Sequence, residues 1–174
     1  MLLTVIGVIA AAIAIVLIVA AQKPDTFRLS RSIVIAAPPE KIVPHIEDFH
    51  RWSAWSPWEK MDPAMTRTYD GPERGPGAVY TWNGNNKVGE GRMEILEVGA
   101  NRVVVDLQFF KPFKAHNKAE FDLVPAGSLT NVTWAMTGPL LFMAKVMHVL
   151  MPIDKMVGKD FESGLEGIKA QAEA

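Results

Sequence analysis

Residues 139–170 carry Phe142, Val146, Val149, Ile153, Val157, Phe161, Leu165 and Ile168 at intervals of three and four. That spacing draws one apolar stripe along a helix. Gly138-Pro139 predicts its start, because proline at the first helical position loses no hydrogen bond. Pro152 divides the stretch into one bent helix or two. A stripe of this kind has to lie on an apolar surface, and the preceding chain must supply one.

The surface is legible as strands. Residues 27–36, 65–71, 77–84, 88–98, 102–110, 116–125 and 128–137 read as extended runs. The clearest, 102–110, sets Val103, Val105, Leu107 and Phe109 on one face against Arg102, Asp106 and Gln108 on the other, the period-two signature of a half-buried strand. Residues 116–125 repeat it with Ala119, Phe121 and Leu123, and 128–137 with Val132, Trp134 and Met136. Asp70-Gly71-Pro72, Asn83-Gly84-Asn85-Asn86 and Ala126-Gly127 mark turns. Gly89 and Gly91 within a strand predict a bulge or bend. Connections this short imply an antiparallel meander. Between the first strand and the rest, Pro38-Pro39-Glu40 opens a short helix limited by Pro44. Trp52, Trp55 and Trp58 follow, and Pro57 predicts a helix-to-loop corner there. The predicted class is α+β: a curved antiparallel sheet wrapped on a long C-terminal helix, with an apolar space between them. Gly158, Gly164 and Gly167 in that helix each cost about 1 kcal/mol relative to alanine. Close approach to the sheet, or room for a ligand, would account for them.

Residues 1–21 contain no charged side chain, and twenty such residues as a helix span about 30 Å, the hydrocarbon thickness of a bilayer. A cleaved signal peptide ending at Val19-Ala20-Ala21 is the rival reading. The length of the run and the absence of a preceding lysine or arginine favour an uncleaved anchor. The expected organisation is therefore a transmembrane segment over 1–22 and one folded domain over 27–172. Lys23, Arg28 and Arg31 follow the span, which places the domain in the cytoplasm by the positive-inside rule. The expected location is a single pass through a bacterial inner membrane. The 18 basic and 19 acidic residues form no basic run, so no nucleic-acid partner is expected. The chain has no cysteine, which excludes disulfides, thiolate metal sites and cysteine nucleophiles.

Three local patterns resemble the SRPBCC superfamily (START and Bet v 1-like proteins), and within it a bacterial polyketide cyclase/dehydrase-like subgroup. They are the first strand followed by Ala37-Pro38-Pro39-Glu40-Lys41-Ile42; Trp52, Trp55, Ser56, Pro57 and Trp58 followed by Asp62-Pro63-Ala64-Met65; and Asp154-Lys155-Met156 with Gly158-Lys159-Asp160-Phe161-Glu162 and Gly164-Leu165. The resemblance spans about residues 27–170 and implies a helix-grip fold with an apolar cavity. The superfamily includes lipid carriers, hormone receptors and cyclases, so the resemblance does not select an activity.

Candidate cavity residues are Trp55, Trp58, Tyr80, Trp82, Met93, Val105, Leu107, Phe109, His116, Phe121, Trp134, Met136, Met143, Met147 and His148. Most are apolar faces of the strands and helix above, and His116 and His148 are the candidate polar groups. Five of the nine methionines lie between Met136 and Met156; methionine fills irregular apolar spaces and adapts to varied ligands. His45 and His50 are five apart, and no histidine pair has the spacing of a metal site. No Gly-x-Gly-x-x-Gly, phosphate-binding loop, Gly-x-Ser-x-Gly or Ser/His/Asp set occurs, so no cofactor and no metal are expected. Glu90, Arg92 and Glu94 on one strand, with Asp106 and Gln108 on the next, read as a solvent-side charge ladder. The leading expectation is a non-catalytic, membrane-anchored carrier or sensor for a small hydrophobic or lipid-like molecule. A cyclase/dehydrase-like enzyme using cavity acid–base groups is the alternative, and an interaction domain whose interior is only a core is a third. Oligomeric state is left open.

Overall fold

The computed structural model describes residues 1–174. Helix α1 (Leu2–Gln22) precedes strand β1 (Thr26–Ile35). Then come α2 (Pro39–Ile46), a 3-10 turn (Phe49–Arg51), α3 (Trp52–Trp55) and α4 (Pro57–Met61). Six strands follow: β2 (Thr66–Asp70), β3 (Val79–Asn83), β4 (Glu90–Gly99), β5 (Arg102–Lys111), β6 (Ala115–Ala126) and β7 (Leu129–Pro139). The chain ends in α5 (Phe142–Leu150) and α6 (Ile153–Ala172).

The seven strands form one antiparallel sheet in the order β1-β7-β6-β5-β4-β3-β2. The first strand thus closes on the last, and the rest is a meander. Register shifts at Glu90/Gly91 and Ile95/Glu97 bend the β4–β5 pair, as bulges do. The concave face carries the alternating apolar residues: Val103, Val105, Ala119, Phe121, Val132 and Trp134 are all buried. The opposite face carries the ladder, where Arg92 pairs with Glu94 at 2.6 Å and Glu94 lies opposite Asp106 across the β4–β5 register.

Helix α6 lies across the concave face with Phe161, Leu165 and Ile168 fully buried. Two of its glycines are contact points. A Cβ on Gly164 would stand 2.7 Å from the Trp134 ring, and one on Gly167 would stand 2.7 Å from the Trp55 carbonyl oxygen. The helix cost of these glycines is thus the condition for close packing on the sheet and on the tryptophan corner. Arg31, on the inward face of β1, holds α6 from the side through Asp154 (2.6 Å) and Glu162 (2.7 Å).

The structure departs from the sequence reading at the start of the C-terminal helices. Pro139 does not open a helix; it is the last residue of β7 and pairs with Thr26. The chain then turns and helix begins at Phe142. The stripe also does not run as one. Pro152 divides the stretch into two helices, the second of the two expected forms, but the stripe changes environment across it: Phe142 is half exposed while Phe161 is buried. The spacing of apolar residues in α5 is helical, but its most exposed face is itself apolar.

Candidate ligand cavity

Between the concave sheet and α6 lies a cavity of about 220 Å³ bounded by 17 residues, 14 of them hydrophobic. Tyr80, Trp82, Met93, Leu107, Phe109, Ala119, Trp134 and Met136 form its sheet wall, and Val157 and Phe161 its helix wall. The corner after β1 closes one side with Trp52, Ser56, Trp58, Glu59 and Met65, and Lys87 and the buried Val88 complete the lining. The period-two alternation explains the sheet wall, since residues two apart share a face. Proline at the first position of α4 turns the chain so that Trp58 and Glu59 face the cavity, whereas Trp55 is directed into the solid core.

Aromatic packing holds these walls. The Trp134 ring is stacked between Phe121 (centroids 4.9 Å) and Phe161 (4.2 Å). Trp55 and Trp58 meet it edge-on at 5.7 and 5.8 Å. Three other indoles donate to carbonyls: Trp52 to Ile46 (3.0 Å), Trp55 to His45 (2.8 Å) and Trp82 to Val88 (3.0 Å). The Trp134 indole N–H is buried with no partner, enclosed by these rings.

Three polar residues interrupt the apolar wall, Ser56, Glu59 and Lys87, and Glu59 is the one carboxylate among them. Glu59 accepts from the Tyr80 hydroxyl at 2.5 Å and from Arg67 Nε at 2.7 Å. Its side chain is only 9% exposed. Burial, and then the Glu59 carboxylate, push the Tyr80 phenol well above its usual range. The hydrogen bond to Glu59 raises the Arg67 guanidinium further. Tyr80 therefore remains a protonated donor and Arg67 a cation. Each carboxylate oxygen is taken by an internal partner, which makes this cluster a structural clasp between α4, β2 and β3 as well as a polar spot in the wall.

Of the residues expected at the cavity, eight line it: Trp58, Tyr80, Trp82, Met93, Leu107, Phe109, Trp134 and Met136. Trp55, Val105 and Phe121 are packed in the core beside it. His116 lies elsewhere, on the outer sheet face, with Nε2 2.5 Å from Asp106. His148 sits edge-on to Phe27 at 5.8 Å, and burial lowers its pKa, with Lys23 adding to the effect. Met143 and Met147 project outward from α5 and are exposed. Glu59, Met65, Lys87 and Val88 line the cavity from short helices and loops, where no periodicity marks them. The Trp-Glu pair at 58–59 within the proline-broken corner is the one signal that points to Glu59.

A strongly bent sheet gripping a terminal helix, with an apolar hollow between them, defines the helix-grip class of the SRPBCC superfamily. Residues 26–173 match the model of the polyketide cyclase / dehydrase and lipid transport family, and the chain belongs to it. No curated protein matches the chain in sequence. Among solved structures, protein CV1439 from Chromobacterium violaceum is 16% identical with a TM-score of 0.58, over 87% of this chain and 99% of that one. The di-domain ARO/CYC BexL from the BE-7585A biosynthetic pathway is 14% identical with a TM-score of 0.61, over 90% of this chain and 53% of that one. Ara h 8.0201 is 13% identical with a TM-score of 0.51, over 84% and 97%. These likenesses establish the fold.

Proposed function

We propose that the chain is a membrane-anchored binding or carrier domain for a small hydrophobic or lipid-like molecule, without catalysis of its own. The observation that carries this reading is the lining of the cavity: 14 of 17 residues are hydrophobic, and its carboxylate is already engaged by Tyr80 and Arg67. Burial of apolar ligand surface supplies about 25 cal/mol per Å², which such a wall can provide without a charged partner. The volume is below the ~300–1,000 Å³ of drug-sized sites, and it suits a compact molecule or a single chain more than a two-chain lipid. Helix α1 is long and apolar enough to cross a membrane, which supports the anchor, and Lys23, Arg28 and Arg31 beyond it support a cytoplasmic domain.

Four of the five tryptophans line the cavity. Dibromostearate added to the full chain in nanodiscs should therefore quench tryptophan fluorescence saturably. Ala119→Phe, which fills the space from β6, should abolish the saturable part. Quenching that rises linearly and is identical in both proteins would refute the reading.

The cyclase/dehydrase-like alternative rests on the Glu59–Tyr80 pair at the wall. An acid–base role needs a group that changes protonation near the working pH, and the elevated Tyr80 phenol does not. Turnover of a polyketide-like substrate that disappears in Tyr80→Phe would favour the enzyme.

A further inference from the structure

Helix α5 is amphipathic the wrong way round for a helix of a water-soluble domain. Its one lysine faces inward: Lys145 is buried and donates to the Lys23 carbonyl at 2.9 Å and to Asp25 Oδ1 at 2.6 Å. Its outward face is Met143, Met147 and Leu150, exposed by 69%, 50% and 65%. The Lys145 contacts fix α5 against the residues that follow α1, and the two helices pack together. The exposed apolar face of α5 therefore belongs to a helix packed against the apolar α1.

The strand register places a second apolar element at the same end. Thr26 lies opposite Pro139, Phe109 opposite Ala115, and Glu90 opposite Lys111. The β5–β6 loop thus emerges beside the exit of α1 and the start of α5. Three strand spacings separate β1 from β5, roughly 14 Å. At the tip of that loop Phe113 is 78% exposed and followed by Lys114, while Lys111, two residues before it, is paired with Glu90 at 2.6 Å. Lys23 and Lys87 stand at this end as well. Leu107 and Phe109 of the cavity wall lie toward it too, opposite Asn117 and Ala115 beside the β5–β6 loop.

We propose that this end of the domain docks on an anionic lipid bilayer surface, with α5 lying in the headgroup layer, Phe113 inserted beside it, and the cavity mouth facing the acyl chains. An apolar helix face and an aromatic loop tip bury in the headgroup–acyl boundary. Basic residues near the surface add about 1 kcal/mol each on anionic lipid. A ligand then passes between bilayer and cavity without crossing water. This rests on the reading of α1 as an anchor and of the cavity as a ligand site, and it assigns the surface that joins them.

The absence of cysteine allows single spin labels on the full chain. Labels would be placed at Phe113→Cys, Met147→Cys and, at the opposite end of the sheet, Ser128→Cys. The protein is reconstituted in vesicles of phosphatidylcholine with phosphatidylglycerol. Labels at 113 and 147 should collide with oxygen in preference to a water-soluble nickel chelate, and the label at 128 should show the reverse. Water-like values at 113 and 147 in protein that still sediments with the vesicles would overturn docking while leaving the anchor intact. Protein that leaves the vesicles on carbonate washing would overturn both. Dipolar broadening between labels at 147, the mark of a second copy covering α5, would overturn the bilayer as its occupant. Lys111→Glu with Lys114→Glu should shift the label at 113 toward water on this anionic membrane; no shift would count against the charge contribution.

Discussion

The Tyr80 hydroxyl donates to Glu59 at 2.5 Å across the boundary between the tryptophan corner and the sheet. This bond joins α4 to β3, and Arg67 on β2 adds the second bond to the same carboxylate. The edge of the sheet and the corner that closes the cavity are therefore held by one buried acid. Tyr80→Phe removes one donor and should cost about 1–3 kcal/mol. Glu59→Leu removes the carboxylate from both Tyr80 and the partly buried Arg67, which keeps only the carbonyls of Asp62, Pro63 and Met65 as acceptors, and should cost more than Tyr80→Phe. Denaturant unfolding of the two variants would measure the order, and equal or negligible losses would show that the clasp does not hold the corner.

The same bond makes an alkaline prediction. With Tyr69→Phe the chain keeps Tyr80 as its single tyrosine. The Tyr80 pKa in the fold is raised above the unfolded value of about 10. The unfolded chain then loses its proton first, so the stabilisation is intact below pH ~10 and declines as pH rises beyond it. Tyrosinate absorbance should appear together with loss of circular dichroism. Absorbance rising near pH 10 with the fold intact would contradict the burial described.

Acid should act on α5. Burial, reinforced by Lys23, lowers the pKa of His148. A histidine depressed in the fold stabilises above its unfolded value of about 6.5 and loses that contribution as pH falls through the folded value. Amide exchange over residues 142–150 should accelerate below pH ~6.5, and His148→Phe, which keeps a ring against Phe27, should remove the dependence. Acceleration unchanged in the variant would place the titrating group elsewhere.

Glycines at the helix–sheet contact should resist replacement. Alanine is favoured over glycine by about 1 kcal/mol within a helix. At Gly167 the added methyl would meet the Trp55 backbone at 2.7 Å, which cannot swing aside. Gly167→Ala should therefore destabilise by about 1–3 kcal/mol, whereas Ser163→Ala on the exposed face should be neutral or stabilising. A gain at 167 would mean that α6 can lift from the corner.

The tryptophans separate by their partners. Trp52→Phe forfeits an indole donor and orphans the buried Ile46 carbonyl, while Trp134→Phe removes an N–H that has no acceptor. Both leave similar voids, so Trp52→Phe should cost about 1 kcal/mol more. Thermal unfolding of the pair would check this, and the reverse order would imply an acceptor for Trp134.

The strands were legible because period-two alternation records which face meets the core. Val103 to Phe109 on β5 and Ala119 to Leu123 on β6 fall where alternation puts them. Helix glycines were legible for the same reason, since Gly164 and Gly167 are hard to explain except by close packing. Spacing fails where it cannot say what covers an apolar face. In α5 and α6 the intervals are alike, yet Phe161 is buried and Met147 is exposed. Pro139 illustrates a second limit: its fixed φ suits both a helix start and the end of a strand, and pairing with Thr26 decided between them. Glu59 and Lys87 reach the cavity from elements too short to have a period.

Native mass spectrometry of the full chain, released from nanodiscs, would show whether the cavity holds an apolar molecule. An added mass from a small apolar molecule is expected on the wild-type chain and the bare mass for Ala119→Phe. A bare mass for the wild type after incubation with stearate, or the same adduct on both proteins, would contradict the carrier reading.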